Sequence, residues 1–390
     1  MNDQMMTAAK QNLTTGSIAV ARLFDGDTWH YNVELSWQQG IITGIRPAAG
    51  AVHAGALASG FIDLQVNGGG GVLFNTAPDL ATLQIMAKAH ACFGTTAMLP
   101  TVITDSVSVM QQAADVVAQA IAAKLPGIIG LHFEGPHLSV PKKGVHPACH
   151  IRPLTDSEMA IYQRNDIGIK LITVAPENVT PAQIKQLTEA GMQVWLGHSD
   201  ADAATVELAL AAGARGFTHL YNAMSPLTSR EPGMVGVALT DADSWCGIIL
   251  DGQHLHPIAA KLALAAKPKG KMLLVTDAMS PVGTTDCEFA FFGGKVIRQG
   301  NKLTNETGAL AGSVLDMASA VRYTIQALAV EPDEALRMAT LYPAEALGCA
   351  DRYGRLRQGY RADMVLLDEQ FQVQHNWIAG STVYQVRPLE

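Results

Sequence analysis

Eight short apolar or β-branched runs, each ending in a polar or glycine-containing turn, recur along the middle of this 390-residue chain. They are GFIDLQVNG (60–68), TTAMLPTVI (95–103), GIIGLHFEGP (127–136), IKLITVAPE (169–177), MQVWLGHS (192–199), GFTHLYNAM (216–224), SWCGIILDG (244–252) and KMLLVTDAM (271–279). Most gaps between them hold a segment with apolar residues near helical spacing, such as LATLQIMAKAHACFG after the first run and DAATVELALAAGA after the fifth. Strands that alternate with helices pair in parallel, and eight such units close into a (β/α)8, TIM-like barrel. Beyond the eighth run, residues 312–348 read as two further helices, the second being PDEALRMATLYPAEALG.

The two ends read differently. Residues 17–47 and 354–386 are alternating strand-like runs split by Gly and Asp turns, which predicts one small β-sandwich domain assembled from both termini. The expected division is therefore 1–57 and 350–390 for the small domain and 58–349 for the barrel. Hydrophobic residues make up 48% of the chain and charged ones 16%, the balance of a compact globule. A net charge of -8 argues against a broad grip on nucleic acid or on an anionic membrane, so any anionic ligand must be held by a few local cations. The polar start, MNDQMMTAAKQNLTTG, lacks the apolar core of a leader, and the expected location is the cytoplasm. Five scattered cysteines form no C-x-x-C pair, which leaves them as small buried or partly buried hydrophobes.

Barrels of this kind carry their chemistry at the C-terminal ends of the strands. Those ends offer Glu134 (strand three), His198 (five), His219 (six) and Asp277 (eight). A carboxylate and two imidazoles on neighbouring strands supply three N/O ligands for a divalent metal of zinc type, with a fourth position open to water. Asp277, two strands further round, is then a free base. Strand one carries Gln65-Val66-Asn67.

HFEGPHL, KKGVHP, LGHSDA, THLYNAMSPLTSREPG, ILDGQH, VTDAM, LAGS and GRLRQGYRAD, in this order, closely resemble the N-acetylglucosamine-6-phosphate deacetylases of the amidohydrolase superfamily. The resemblance covers essentially the whole chain. It implies hydrolysis of N-acetyl-D-glucosamine 6-phosphate to D-glucosamine 6-phosphate and acetate in amino-sugar catabolism. It assigns Glu134, His198 and His219 to one divalent metal per chain, expected to be zinc, with iron, cobalt or manganese as alternatives. Asp277 becomes the general base and then the general acid, and His146 the contact that stabilises the oxyanion. Asn222, Ala223, Arg230 and His254 are expected around the sugar phosphate, and Leu310, Ala311 and Gly312 around the N-acetyl group.

Two-metal members of the superfamily place His-x-His where this chain has Gln65 and Asn67, so one tightly held ion is expected, with Gln65 near it and near the substrate. The NGGGG run is expected to let backbone approach a bulky ligand. The resemblance also implies a homodimer in which an arginine from the neighbouring subunit can complete the phosphate site. N-acetylgalactosamine-6-phosphate deacetylation is the alternative reading, set back because that branch is expected to keep His-x-His. An inactive sugar-phosphate-binding protein is a further alternative, disfavoured because all four site residues are intact.

Overall fold

The computed structural model describes residues 15–386. The polar start read for a leader lies, through residue 14, outside them. The eight barrel strands are Phe61–Val66, Thr95–Ile103, Gly130–Glu134, Ile169–Val174, Met192–Leu196, Gly216–Phe217, Trp245–Ile248 and Met272–Leu274. They pair in parallel in sequence order, strand one through strand eight. Strand one meets strand eight through a parallel bridge at Val66 and Ala278, and the Asp277 N–H donates to the Gln65 carbonyl at 3.0 Å. A buried side-chain bond reinforces that seam, the Thr276 hydroxyl donating to the Asp63 carboxylate at 2.5 Å. The sheet is thus closed, which removes its edges.

The sixth run is strand only at Gly216–Phe217, although it reads as one strand through residue 224. His219, Tyr221 and Ala223 all have left-handed backbones, with φ of 37°, 76° and 52°, so the chain leaves the sheet one residue before His219. The segment 312–348 forms three helices rather than two: Met317–Gln326, Pro332–Ala339 and Leu341–Ala346. Pro343 accounts for the break. In a continuous helix its ring would clash with the Ala339 carbonyl four residues back, and the chain kinks at Thr340 with φ -130° and ψ -72°.

A three-stranded antiparallel insertion, Glu288–Phe291, Gly294–Gln299 and Lys302–Asn305, stands between strand eight and the LAGS segment. It was not anticipated from the sequence, although its turns at Gly293 and Gly300 take the positive φ that hairpins favour.

The small domain is one seven-stranded sheet. Four strands come from residues 16–59 and three from residues 364–385. Trp37 and Trp377 lie four strand positions apart along it, roughly 19 Å in a flat sheet. Their rings are 6.4 Å apart, so the sheet curls over on itself and buries Leu35, Ile42, Leu57, Met364 and Leu366 between its two halves.

The cysteines stay unpaired. Cys246 and Cys349 are buried as expected, whereas Cys149 and Cys287 are exposed. Among the described residues, no helix is long and apolar enough to cross a membrane.

Candidate active site

Strand ends aim the titratable groups. Glu134 closes strand three, while His198 and His219 follow strands five and six by one turn. His198, His219 and Asp277 all adopt left-handed φ, 48°, 37° and 51°. Non-glycine residues pay for that conformation, and such strain collects at functional sites. Gly197, just before His198, has no room for a side chain, since a Cβ there would meet Thr173 Cγ2 at 2.9 Å. The turn after His198 is clamped by Glu177, whose carboxylate accepts from the Ser199 hydroxyl at 2.6 Å and the Asp200 N–H at 2.8 Å. This is the role of the acidic group in VAPE.

Glu134, His198 and His219 are buried, and one ligand atom from each lies within 4.8 Å of the others. His219 Nε2 is 3.0 Å from His198 Nε2 and 3.1 Å from Glu134 Oε1, and His198 Nε2 is 3.3 Å from that same oxygen. Tetrahedral ligands at ~2.1 Å from zinc stand ~3.4 Å apart, so the triangle is close to the size such an ion requires. The tautomer fits as well. His198 Nδ1 lies 2.8 Å from the Lys142 carbonyl, which can only accept, so the proton sits on Nδ1 and Nε2 offers its lone pair. Burial works to raise the Glu134 carboxyl, but the two imidazoles outweigh it and hold it well below the usual carboxylate range.

The opposite side of the mouth is built from amides. Gln65 Nε2 donates to Glu134 Oε1 at 2.9 Å and to Asp277 Oδ1 at 3.2 Å, and Asn67 Nδ2 donates to that same Asp277 oxygen at 2.6 Å. One NH2 group therefore spaces the two carboxylates. Burial, followed by the negative charge of Glu134, pushes the Asp277 carboxyl up to about 7.

A cavity opens over these groups, lined by Asn67, Glu134, His146, His198, His219, Asn222, Ala223, His254, Asp277, Leu310 and Gly312 among others. His146 is buried, with Nδ1 2.9 Å from the Thr104 hydroxyl and its ring 4.4 Å from that of His198. His254 pairs through Nδ1 with the Asp251 carboxylate at 2.7 Å.

Three anticipated residues stand elsewhere. Gln65 is 1% exposed and sits behind Glu134 and Asp277 rather than in the cavity wall, because both its N–H bonds are used on those carboxylates. Arg230 is exposed and does not line the cavity. Ala311 is buried between its lining neighbours, its N–H donating to the Leu303 carbonyl. The glycine run does not reach the cavity either. Gly68, Gly70 and Gly71 donate to the carbonyls of Ala278, Val282 and Ser280, so their lack of side chains serves close packing of strand one's loop against strand eight's. Phe291 was missed, and it enters the wall from the hairpin insertion.

The model of the Amidohydrolase family matches residues 57–383. The chain belongs to the amidohydrolase family. This amidohydrolase is 54% identical over 368 residues to N-acetylgalactosamine-6-phosphate deacetylase of Shewanella sp. (strain ANA-3), covering 92% of this chain and 93% of that one. It is 36% identical over 321 residues to N-acetylglucosamine-6-phosphate deacetylase of Haemophilus influenzae, covering 81% and 84%. The crystal structure of N-acetylglucosamine-6-phosphate deacetylase from Pasteurella multocida superimposes with a TM-score of 0.91 at 34% identity, covering 95% of this chain and 99% of that one.

Proposed function

We propose that this amidohydrolase removes the N-acetyl group from a 6-phosphorylated N-acetylhexosamine, releasing the amino-sugar phosphate and acetate. The observation that carries the reading is the convergence of three metal-type donors, Glu134, His198 and His219, beside a separate carboxylate, Asp277, in one cavity. Relatives that act on such sugars supply the substrate class.

A divalent ion held by the triad would polarise the acetyl carbonyl and make an attacking water more acidic. Asp277 takes the proton from that water. Its Oδ1 already accepts two amide N–H groups, which leaves Oδ2 for the transfer. The same carboxyl then returns the proton to the departing amine, so one group serves as base and as acid. His146, held by Thr104 with its ring tilted against that of His198, donates to the developing oxyanion. Leu310 and Gly312, with Phe291 and Met279, give the cavity an apolar wall for the acetyl methyl. We infer a homodimer as well, in which the exposed Arg230 of one chain serves the phosphate bound by its neighbour.

The gluco sugar is the first reading and follows from the motif series. A specific observation favours the galacto sugar as the second: identity of 54% to an N-acetylgalactosamine-6-phosphate deacetylase against 36% to an N-acetylglucosamine-6-phosphate deacetylase. Acetate release from both 6-phosphorylated epimers and from their unphosphorylated forms tests the proposal. Turnover of at least one phosphorylated epimer, well above its unphosphorylated form, is expected. Equal turnover with and without the phosphate would overturn it.

A further inference from the structure

A dianionic phosphate entering this cavity meets the carboxylates of Glu134 and Asp277, so a cation must stand in the wall to admit it. The basic side chains lining the cavity are four histidines: His146, His198, His219 and His254. His198 and His219 belong to the donor triangle, and His146 rests its Nδ1 on the neutral Thr104 hydroxyl. Arg230 is exposed outside the wall, and Lys142 pairs with Asp200 at 3.3 Å. His254 alone is bonded through one ring nitrogen to a dedicated carboxylate.

That carboxylate, Asp251, is built in. Its side chain is 4% exposed and that of His254 6%. Oδ1 accepts the N–H groups of Gln253 and His254, both at 2.8 Å, and Oδ2 receives His254 Nδ1 at 2.7 Å. Three donors on one buried carboxylate keep it ionised. An ionised partner at Nδ1 fixes a proton there and favours a second proton at Nε2.

We propose that Asp251 is a positioning residue for phosphate recognition, holding His254 as an imidazolium whose Nε2–H faces the sugar phosphate. The inference rests on the phosphorylated-sugar reading above and adds the residue that makes the phosphate cradle cationic. Burial alone would lower the His254 pKa, but the Asp251 bond and charge, with a smaller contribution from Asp277, raise it above the ordinary value. Other ionisable groups face the pair too. Tyr323, on the helix Met317–Gln326, looks onto Asp251 and is neutral near pH 7, since burial and Asp251 raise it. Because the folded pKa of His254 is raised, its charge is kept to higher pH than that of an ordinary imidazole and is lost as pH rises through the folded pKa.

Asp251→Asn keeps the Oδ1 acceptor and removes the charge. KM for the phosphorylated sugar is expected to rise about tenfold at pH 8, as for loss of a charge-assisted contact. KM for the unphosphorylated sugar, kcat and metal content should stay near wild type. The ratio of variant to wild-type KM should fall as pH is lowered and His254 of the variant takes up its own proton, and Asp251→Glu should restore most of the binding. A ratio that does not change with pH, or an equal loss on both sugars, overturns the proposal. Nitrogen-15 spectra of the wild-type histidines give an answer that depends on no variant. Both His254 ring nitrogens protonated at pH 7 is the expected result, and a neutral ring there overturns it. A wild-type enzyme indifferent to the phosphate defeats the substrate reading instead, and the spectra then still report on the Asp251–His254 pair.

Discussion

On one side of the barrel mouth, strands three, five and six bring Glu134, His198 and His219 so close that one ligand atom from each falls within 4.8 Å of the others. On the other side, strands one and eight bring Gln65, Asn67 and Asp277, where two amides donate to a single carboxylate oxygen at 3.2 and 2.6 Å. The first group presents lone pairs to a common point. The second presents N–H groups, which repel a cation and attract an anion. Similar positions at the mouth of the same barrel thus offer opposite chemistry: one side has the donors a metal ion could use, and the other holds a carboxylate among amides.

Breaking the ligand side should have the largest effect. Glu134→Ala removes the only anionic donor, and roughly a 10³-fold or greater loss of kcat is expected together with loss of bound metal. Elemental analysis and turnover on one preparation check both. Full activity with metal retained would separate the triangle from the chemistry.

On the base side, Asp277→Asn should cost at least ~10²-fold in kcat while metal is kept, because the amide cannot accept the water's proton. The pH profile sharpens this. Asp277 must be deprotonated to act, and its carboxyl is raised to about 7 by burial and Glu134, so kcat/KM should fall as pH drops through a limb at or below about 7. A cation on the triad moves that limb downward. The asparagine variant should lack the limb, and its persistence would assign it to another group.

Asn67→Ala removes the shorter of the two bonds on Asp277 and leaves the triad untouched, so about a tenfold loss of kcat is expected, with unchanged metal content. A loss as large as that of Asp277→Asn would make Asn67 more than a support. The smallest effect is expected at Arg230, which is exposed in the single chain. Arg230→Ala should raise KM several-fold for the phosphorylated sugar and little for the unphosphorylated one, with the split visible only if the active species is a dimer. Steady-state kinetics beside light scattering decide it.

The barrel and the convergence of Glu134, His198, His219 and Asp277 at its mouth were legible because their signals are local. Each strand begins as a short apolar run, and Glu134, His198, His219 and Asp277 stand at or just past the points where the strands end. The curled terminal sheet was legible as alternation, but the meeting of Trp37 with Trp377 depends on a fold-over that no local pattern encodes. Gln65 was expected beside the substrate because it stands where two-metal members of the superfamily carry His-x-His. Sequence cannot show that Glu134 and Asp277 together take both its N–H groups. Arg230 sits in a motif that reads as ligand-binding, yet exposure is decided by where the loop after His219 runs. The hairpin bearing Phe291 had turn signals at Gly293 and Gly300, but its contact with the cavity depends on tertiary packing.

The contrast between the two sides of the mouth rests on Gln65 and Asn67 excluding a second ion, and counting metal in the purified, active protein tests that most directly. One tightly held divalent ion per chain, removable by chelation with loss of activity and restored by one equivalent, is the expected result. Two tightly held ions per chain, both required for turnover, would contradict it.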